Sequence, residues 1–379
     1  MSVSSIAIIG AGIAGLSAAA HLAAAGHAVT LFEKARGPGG RLASRRTPDG
    51  PIDIGAQYFT AHDPRFIAAL NDWQAAGIVA PWGERLLGLG DEGWQPLQDQ
   101  QPPRFVASPR MSALTRYLSE RLPSSVQFHA NARVTRLIPT EEGRWQLETV
   151  EGELHGPFHR VMITAPAPQA SALLATAGTD ENGVARSVDS LAPRLSAVLA
   201  KVEMAPTWTV MAALDTTLPA LGGQQDWQGL LVSRGNDVPL RCVMRQHSRP
   251  GRAALRNAQD DQTRTPAQEI LSILATAGWS KAHLEDSPEQ VTAALWQAFE
   301  ALPEIATLPK NWHEGRITLT AHRWRYAHPT QCAPQTAFEH TASQHGLILA
   351  GDCLRGPRVE DAWLSGREAA EQLMAEPRK

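Results

Sequence analysis

A chain of 379 residues, 43% of them apolar and 19% charged, is too long for one ordinary core and suits two folded domains. Its formal charge of -3, without any block of like charge, argues against a nucleic-acid or anionic-membrane partner. Cys242, Cys332 and Cys353 lack disulfide or metal-site spacing, and no histidines form an H-x-x-x-H pair on a recognisable helix; a reducing cytoplasm and no metal site are expected.

The amino terminus predicts a strand over 6–9, a glycine turn, a helix over about 13–25 and a second strand over 28–32. Gly10, Gly12 and Gly15 spell G-x-G-x-x-G at the mouth of the helix, and Glu33 follows about twenty residues on, the dinucleotide-binding arrangement. Gly10 permits the tight turn, Gly12 lets backbone approach a pyrophosphate, and Gly15 lets the helix lie on its strand. The N–H groups at Ile13 and Ala14 and the helix dipole would face the phosphates. Glu33 suits a ribose diol and repels a ribose phosphate, which favours FAD or NAD over NADP. A signal peptide or membrane span fits poorly: no Lys or Arg precedes the run, and glycines interrupt it before ~18 apolar residues have passed. Lys34 opens a second glycine stretch, in which Gly40 again admits an anion and Arg41 can pair with a pyrophosphate in bidentate fashion. A solvated arginine in an ordinary loop is the alternative. Plain NAD domains do not need this second segment, whereas two-dinucleotide-binding-domain flavoproteins have one.

Residues 53–60 read Asp-Ile-Gly-Ala-Gln-Tyr-Phe-Thr, with Gly55 and Ala56 small enough for close backbone approach. Gln57 offers a donor and Tyr58 a flat ring; a buried strand with a core tyrosine is the plainer reading. The segment resembles the D-[LI]-G-A-Q-Y-[FI]-T stretch of the renalases, a branch of the flavin amine oxidase superfamily, where it lies against the isoalloxazine ring. A helix follows over 62–77, with Phe66, Leu70 and Trp73 at helical spacing, and then short strands bearing Trp82 and Trp94. Residues 105–114 resemble the renalase F-V-[AG]-x-x-G-[MI]-S-x-[IL] segment, with Arg110 in place of glycine. Ser112 can cap the next helix. Strands are expected over 126–129, 134–138, 145–150 and 160–164; the resemblance brings the backbone near Val134 to adenine. The last of these strands ends in Thr164-Ala165-Pro166, the pattern of the amine oxidase and desaturase side rather than of ring hydroxylases.

Residues 169–316 should be mostly substrate domain, with strands over 192–204 and 207–214. The arginine-rich run 248–266, with Arg245 just before it, reads as a solvated loop or helix face. It and 178–190 look like insertions. Leu274 stands where the renalase pattern has histidine, which puts the substrate in question. Ser287-Pro288-Glu289-Gln290 caps a helix. Residues 320–329 resemble the family's A-H-R-W-x-Y-A-x-P segment; alternation sets His322, Trp324 and Tyr326 on one face and Arg323 and Arg325 on the other. The first face could wall the flavin and the second anchor a substrate phosphate or carboxylate; equally, the rings could be core and the arginines surface. An apolar strand then ends in Gly351-Asp352, where Asp352 could hold a ribityl hydroxyl. Arg358-Val359-Glu360-Asp361-Ala362 opens the last helix, whose dipole would face the flavin. Asp361 replaces a glycine usual in bacterial renalase-like proteins, and Cys353 reads as a packed thiol.

The implied fold is α/β: a Rossmann-like FAD domain (1–60, 104–166, 316–379) and a mixed-sheet substrate domain (61–103, 167–315). FAD is expected, bound non-covalently by Gly10, Gly12, Ile13, Ala14, Gly15, Glu33, Lys34, Gly40, Arg41, Gln57, Tyr58, Val134, Gly351, Asp352, Glu360, Asp361 and Ala362. Gln57, Tyr58, Trp324 and Tyr326 are the candidate catalytic residues. The resemblance implies oxidation of 2- or 6-dihydro isomers of NAD(P)H to NAD(P)+, with dioxygen reduced to hydrogen peroxide. A flavin amine oxidase or dehydrogenase of a small amine or secondary metabolite is the alternative.

Overall fold

The computed structural model describes residues 4–97, 102–177, 196–232, 238–252, 267–309, 312–313, 315–333 and 346–375. The chain begins β1 (Ser5–Ile9), α1 (Ile13–Ala24), β2 (Ala28–Phe32), β3 (Ser44–Thr47), β4 (Gly50–Asp53) and α2 (Pro64–Ala75). Next come β5 (Val79–Pro81), β6 (Leu86–Gly90), β7 (Gly93–Pro96), β8 (Phe105–Ala107) and α3 (Ser112–Glu120). The middle holds β9 (Gln127–His129), β10 (Val134–Pro139), β11 (Trp145–Thr149), β12 (Leu154–Phe158), β13 (Arg160–Ile163) and α4 (Ala167–Leu174). Then follow β14 (Glu203–Leu214), β15 (Gly229–Leu231), β16 (Leu240–Arg245), β17 (Glu269–Ala275), α5 (Ala277–Ala282) and α6 (Pro288–Glu300). The chain ends with β18 (Ile317–Gln331), β19 (Leu347–Leu349) and α7 (Val359–Ala375).

The chain divides into two compact units: residues 1–40, 115–204 and 328–379, and residues 41–114 and 205–327. Expected boundaries near 60, 104, 166 and 316 shift accordingly. Residues 41–60 go with the second unit because β4 and the turn after it are tied to Gln246 and Ser272, not to the glycine turn.

The first unit carries a parallel sheet in the order β19-β13-β1-β2-β9 and an antiparallel sheet β10-β11-β12. β1 reads Ile6-Ala7-Ile8-Ile9, apolar on both faces, as a strand covered on two sides must be. Ala7 and Ile9 enter one core with Phe32 and Trp145, and Ile6 and Ile8 enter another with Leu16 and Leu22 of α1. Residues 196–199 form a helical turn rather than the expected strand: Ala200 N–H reaches back to Ser196 C=O, and Val198 and Leu199 pack into the core on one side of the turn.

The second unit is built on the sheet β18-β14-β17-β16-β15-β6-β7. α6 covers it with Val291, Leu295 and Phe299, one apolar stripe at helical spacing. Its start is the expected capping box between Ser287 and Gln290, with Pro288 in the first turn. Beneath the sheet Glu269 is buried against Arg245 and His247. Burial pushes its carboxyl up, yet the hydrogen bonds from His247 and Arg245 outweigh burial and hold it below its ordinary 4.5. As pH falls, the unfolded chain therefore takes up this proton first. The contribution is complete above that ordinary value and drains away below it. The stability gap between the native protein and Glu269→Gln is accordingly expected to narrow as urea unfolding is repeated below that pH; a constant gap would refute the assignment.

Candidate functional site

In the first unit two glycine segments converge. Gly10 takes φ +109°, and its N–H bonds to Phe32 C=O. A Cβ there would sit 2.6 Å from Thr164 Oγ1, the hydroxyl that donates to Ile9 and Gly10 C=O. A Cβ on Gly15 would fall 2.0 Å from Gly10 O, so α1 starts hard against the turn. Gly39 N–H bonds to Ala11 C=O, and a Cβ on Gly40 would lie 3.2 Å from Gly12 Cα. Around Gly12 itself a Cβ would meet nothing within 4 Å, and no side chain caps α1. The open direction is at Gly12, next to a helix start whose backbone donors no side chain caps, while Ile13 and Ala14 behind it are buried.

Glu33 closes the same region. Its Oε2 accepts from Ala11 N–H at 2.8 Å and its Oε1 from Ala35 N–H at 2.8 Å. Each oxygen keeps a lone pair for a hydroxyl donor. Ala132 N–H bonds to Glu33 C=O and Asn131 N–H to Ala35 C=O, which brings the approach to Val134 alongside Glu33. Lys34 is exposed and reaches Gln169 Oε1 at 3.4 Å. α7 crosses α1 closely: a Cβ on Gly366 would fall 2.0 Å from Ala14 O. Gly351, at φ +139°, gives its N–H to Ser365 Oγ. Asp352, Glu360 and Ala362 are buried. Asp361 is a helix-start residue whose Oδ2 accepts from Arg358 N–H at 3.1 Å. Burial raises its pKa against the opposing pull of that bond, Arg358 and Arg355. Cys353 lies in the first unit's core.

In the second unit residues 53–57 form a braced backbone. Ile54 C=O accepts from Trp324 Nε1 at 2.8 Å and from Thr209 Oγ1 at 3.0 Å. Ala56 N–H bonds to Arg41 C=O, and a Cβ on Gly55 would fall 2.0 Å from that same oxygen. Arg41 also gives Nη1 to Ala327 C=O. Gln57, expected as a free donor, has no free valence: its Nε2 donates to Asp53 and Gly55 C=O, and its Oε1 accepts from Arg249 and Gln246. It braces the turn. Arg104 lies over the Tyr58 ring at 5.1 Å. Trp324 stands edge-on to His322 with ring centroids 4.7 Å apart. Burial, then Arg45, lowers the His322 pKa, so the imidazole is neutral at pH 7. Tyr326 is half-buried, and the structure gives it no further role. The other face of β18 is no open cationic anchor: Arg325 makes a two-point ion pair with Glu285, and Arg323 bonds to Glu285 and Leu284 C=O.

A model of an NAD(P)-binding Rossmann-like domain matches residues 8–73, and one of the flavin containing amine oxidoreductases matches residues 75–374. The chain belongs to the flavin containing amine oxidoreductase family. The family brings a flavin cofactor. A 4,4'-diapophytoene desaturase of Staphylococcus haemolyticus is 50% identical over 50 residues, a stretch that spans 13% of this chain and only 10% of the desaturase. Among solved structures, reduced UDP-galactopyranose mutase superposes with a TM-score of 0.72 at 12% identity, covering 99% of this chain and 94% of that one. Putrescine oxidase bound to putrescine superposes with a TM-score of 0.62 at 12% identity, covering 98% and 99%. At such identities the superpositions show the fold alone. The finer assignment to renalases is carried by none of these comparisons.

For a flavin oxidoreductase the first unit's residues fit a dinucleotide: the open direction at Gly12, the uncapped start of α1 and the anchored Glu33 are what a diphosphate and a ribose require. Sequence reasoning missed Thr164 as the latch of the glycine turn and Gly366 as the contact that seats α7 on α1. The Thr-Ala-Pro ending after an apolar strand was a signal for the first; nothing in one sequence marks the second. It also missed the buried arginines. Arg245, Arg249 and Arg252 are 6%, 2% and 4% exposed, against the expected solvated run. Glu269 pairs with Arg245, and Asp53 is shared by Arg249 and Arg252. Residues 253–266, with Arg256 and Arg264, and the supposed insertion 178–190 lie outside the described residues.

Proposed function

We propose that the chain is an FAD-dependent oxidase or dehydrogenase that oxidises a small amine or related metabolite. The two glycine segments, Glu33 and the start of α7 would hold FAD non-covalently, and FAD would supply a two-electron acceptor for the hydride on the carbon bearing nitrogen, with dioxygen as the final acceptor in an oxidase. The nitrogen lone pair must be free for that hydride to leave. His322 beside Trp324 carries a neutral imidazole, which suits an amine that binds already uncharged and needs only a hydrogen-bond acceptor. The observation that carries this reading is the match of residues 75–374 to the flavin containing amine oxidoreductases.

A second reading, oxidation of 2- or 6-dihydro isomers of NAD(P)H, is supported by the resemblance of residues 53–60 and 320–329 to the renalase segments, and demands little beyond a ring held against the flavin. Anaerobic mixing of the FAD-loaded protein with a panel of small amines, and separately with dihydronicotinamide isomers, tests both. Bleaching of the flavin by amines alone is expected. Bleaching by the dihydronicotinamides alone would transfer the assignment to the second reading, and bleaching by neither would refute both.

A further inference from the structure

Thr164 follows β13 and sits half-buried against the glycine turn. Its N–H donates to Ile9 C=O at 2.9 Å, and its hydroxyl proton is shared between Ile9 C=O at 3.0 Å and Gly10 C=O at 3.1 Å. Gly15 crowds the second of these oxygens, since a Cβ there would lie 2.0 Å from it. A trans peptide points its C=O and its N–H in opposite directions. The Gly10–Ala11 peptide is therefore held at both ends: its oxygen by Thr164 Oγ1, and its N–H, on Ala11, by Glu33 Oε2 at 2.8 Å. The preceding peptide is held in the same way, through Ile9 C=O on Thr164 and Gly10 N–H on Phe32 C=O at 2.8 Å.

Glu33 is 6% exposed, and its other oxygen accepts from Ala35 N–H at 2.8 Å. Two backbone donors thus set how this carboxylate is turned, and one of them belongs to the peptide that Thr164 holds. Without the hydroxyl, that peptide is tied from the Glu33 side alone. Rotation then carries Gly10 C=O toward the carboxylate, which repels it, and withdraws the Ala11 donor from Oε2. What joins Thr164 to Glu33 is one amide plane.

We propose that Thr164 is a positioning residue: by holding the Gly10–Ala11 amide plane it fixes the Glu33 carboxylate in the orientation that takes the ribose of FAD, and so sets the affinity for the cofactor. This rests on the reading that the first unit's glycine turn and Glu33 hold FAD. The two side chains then act as one unit, and their contributions to binding are not additive.

The test titrates FAD into each apoprotein by fluorescence and records its urea midpoint. It uses the native chain, Thr164→Val, Thr164→Ala, Thr164→Ser, Glu33→Gln, Glu33→Gln combined with Thr164→Val, and Gly12→Ala. Thr164→Val and Thr164→Ala are expected to bind FAD about tenfold more weakly, the worth of one hydrogen bond. Thr164→Ser keeps the hydroxyl and should stay within about threefold of native. With Glu33→Gln already in place, Thr164→Val should weaken binding by no more than about threefold, because the carboxylate that it positions is gone. A full tenfold loss in that background would confine the hydroxyl's effect to the turn and overturn the proposal. So would native affinity in a folded Thr164→Val or Thr164→Ala, no rescue by serine, or failure of both hydroxyl-free variants to fold. Gly12→Ala leaves the Thr164 and Glu33 bonds in place and reports the underlying reading by itself. Native FAD affinity there takes the cofactor out of the turn, and the proposal falls with that reading. A loss there beside native affinity in the Thr164 variants overturns the proposal alone.

Discussion

Gly12→Ala is expected to leave the protein folded and to strip it of flavin. The Cβ would meet no protein atom within 4 Å, and the residue's φ of -75° and ψ of 180° suit any amino acid. Apoprotein stability should change by no more than about 0.5 kcal/mol. In the proposed FAD site the space it enters would be the diphosphate's, so flavin affinity should fall at least about tenfold, or ~1.4 kcal/mol. Gly15→Ala makes the contrast, because its methyl would collide with Gly10 O at 2.0 Å. That overpacking should cost the apoprotein about 1–3 kcal/mol or more, since backbone cannot step aside as a side chain can. Urea unfolding of both apoproteins and a fluorimetric flavin titration separate the two effects. Native flavin affinity in Gly12→Ala would remove the cofactor from this turn.

How far the sequence could be read follows from the range of the interactions involved. The close approach of Gly15 to Gly10 O is decided within the turn itself by backbone sterics, and so the shape of residues 10–15 was visible. The same holds for the cap at Ser287 and for α2, where Asp63 receives Arg65 N–H and Phe66, Leu70 and Trp73 share one buried face. The brace around Asp53 is decided at sequence distances of 58 to Met111 and 219 to Ser272. No local pattern distinguishes an arginine bound for Asp53 from one bound for water, and Arg249 and Arg252 were misread for that reason. Gln57 failed in the opposite sense. Its type was right for a donor, but four partners in the fold, two carbonyls, the Gln246 amide and the Arg249 guanidinium, had already claimed it. For β18 the alternation put Arg323 and Arg325 on one side, yet what they bind is Glu285, more than thirty residues away, a contact that strand periodicity cannot express.

Asp53→Ala should be the most destabilising single change in the second unit. The carboxylate is wholly buried, as is Arg249, and Arg252 is 4% exposed. Removing it strands two guanidinium groups in the interior and releases Met111 N–H and Ser44 Oγ from their acceptor. Breaking a buried charge pair from one side costs about 3–5 kcal/mol, which is a large part of the 5–15 kcal/mol that holds an ordinary domain together. If the loss comes from uncompensated charge, then removing charge should restore stability. Adding Arg249→Met and Arg252→Met to Asp53→Ala is therefore expected to recover part of the loss, although two further hydrogen-bonded side chains have gone. If the loss came instead from the cavity and the broken hydrogen bonds, each added substitution would deepen it. Denaturant midpoints of the single and triple variants distinguish these outcomes. A triple variant less stable than Asp53→Ala would mean that the arginines stabilise the unit by packing, with the carboxylate as a spectator to their charge.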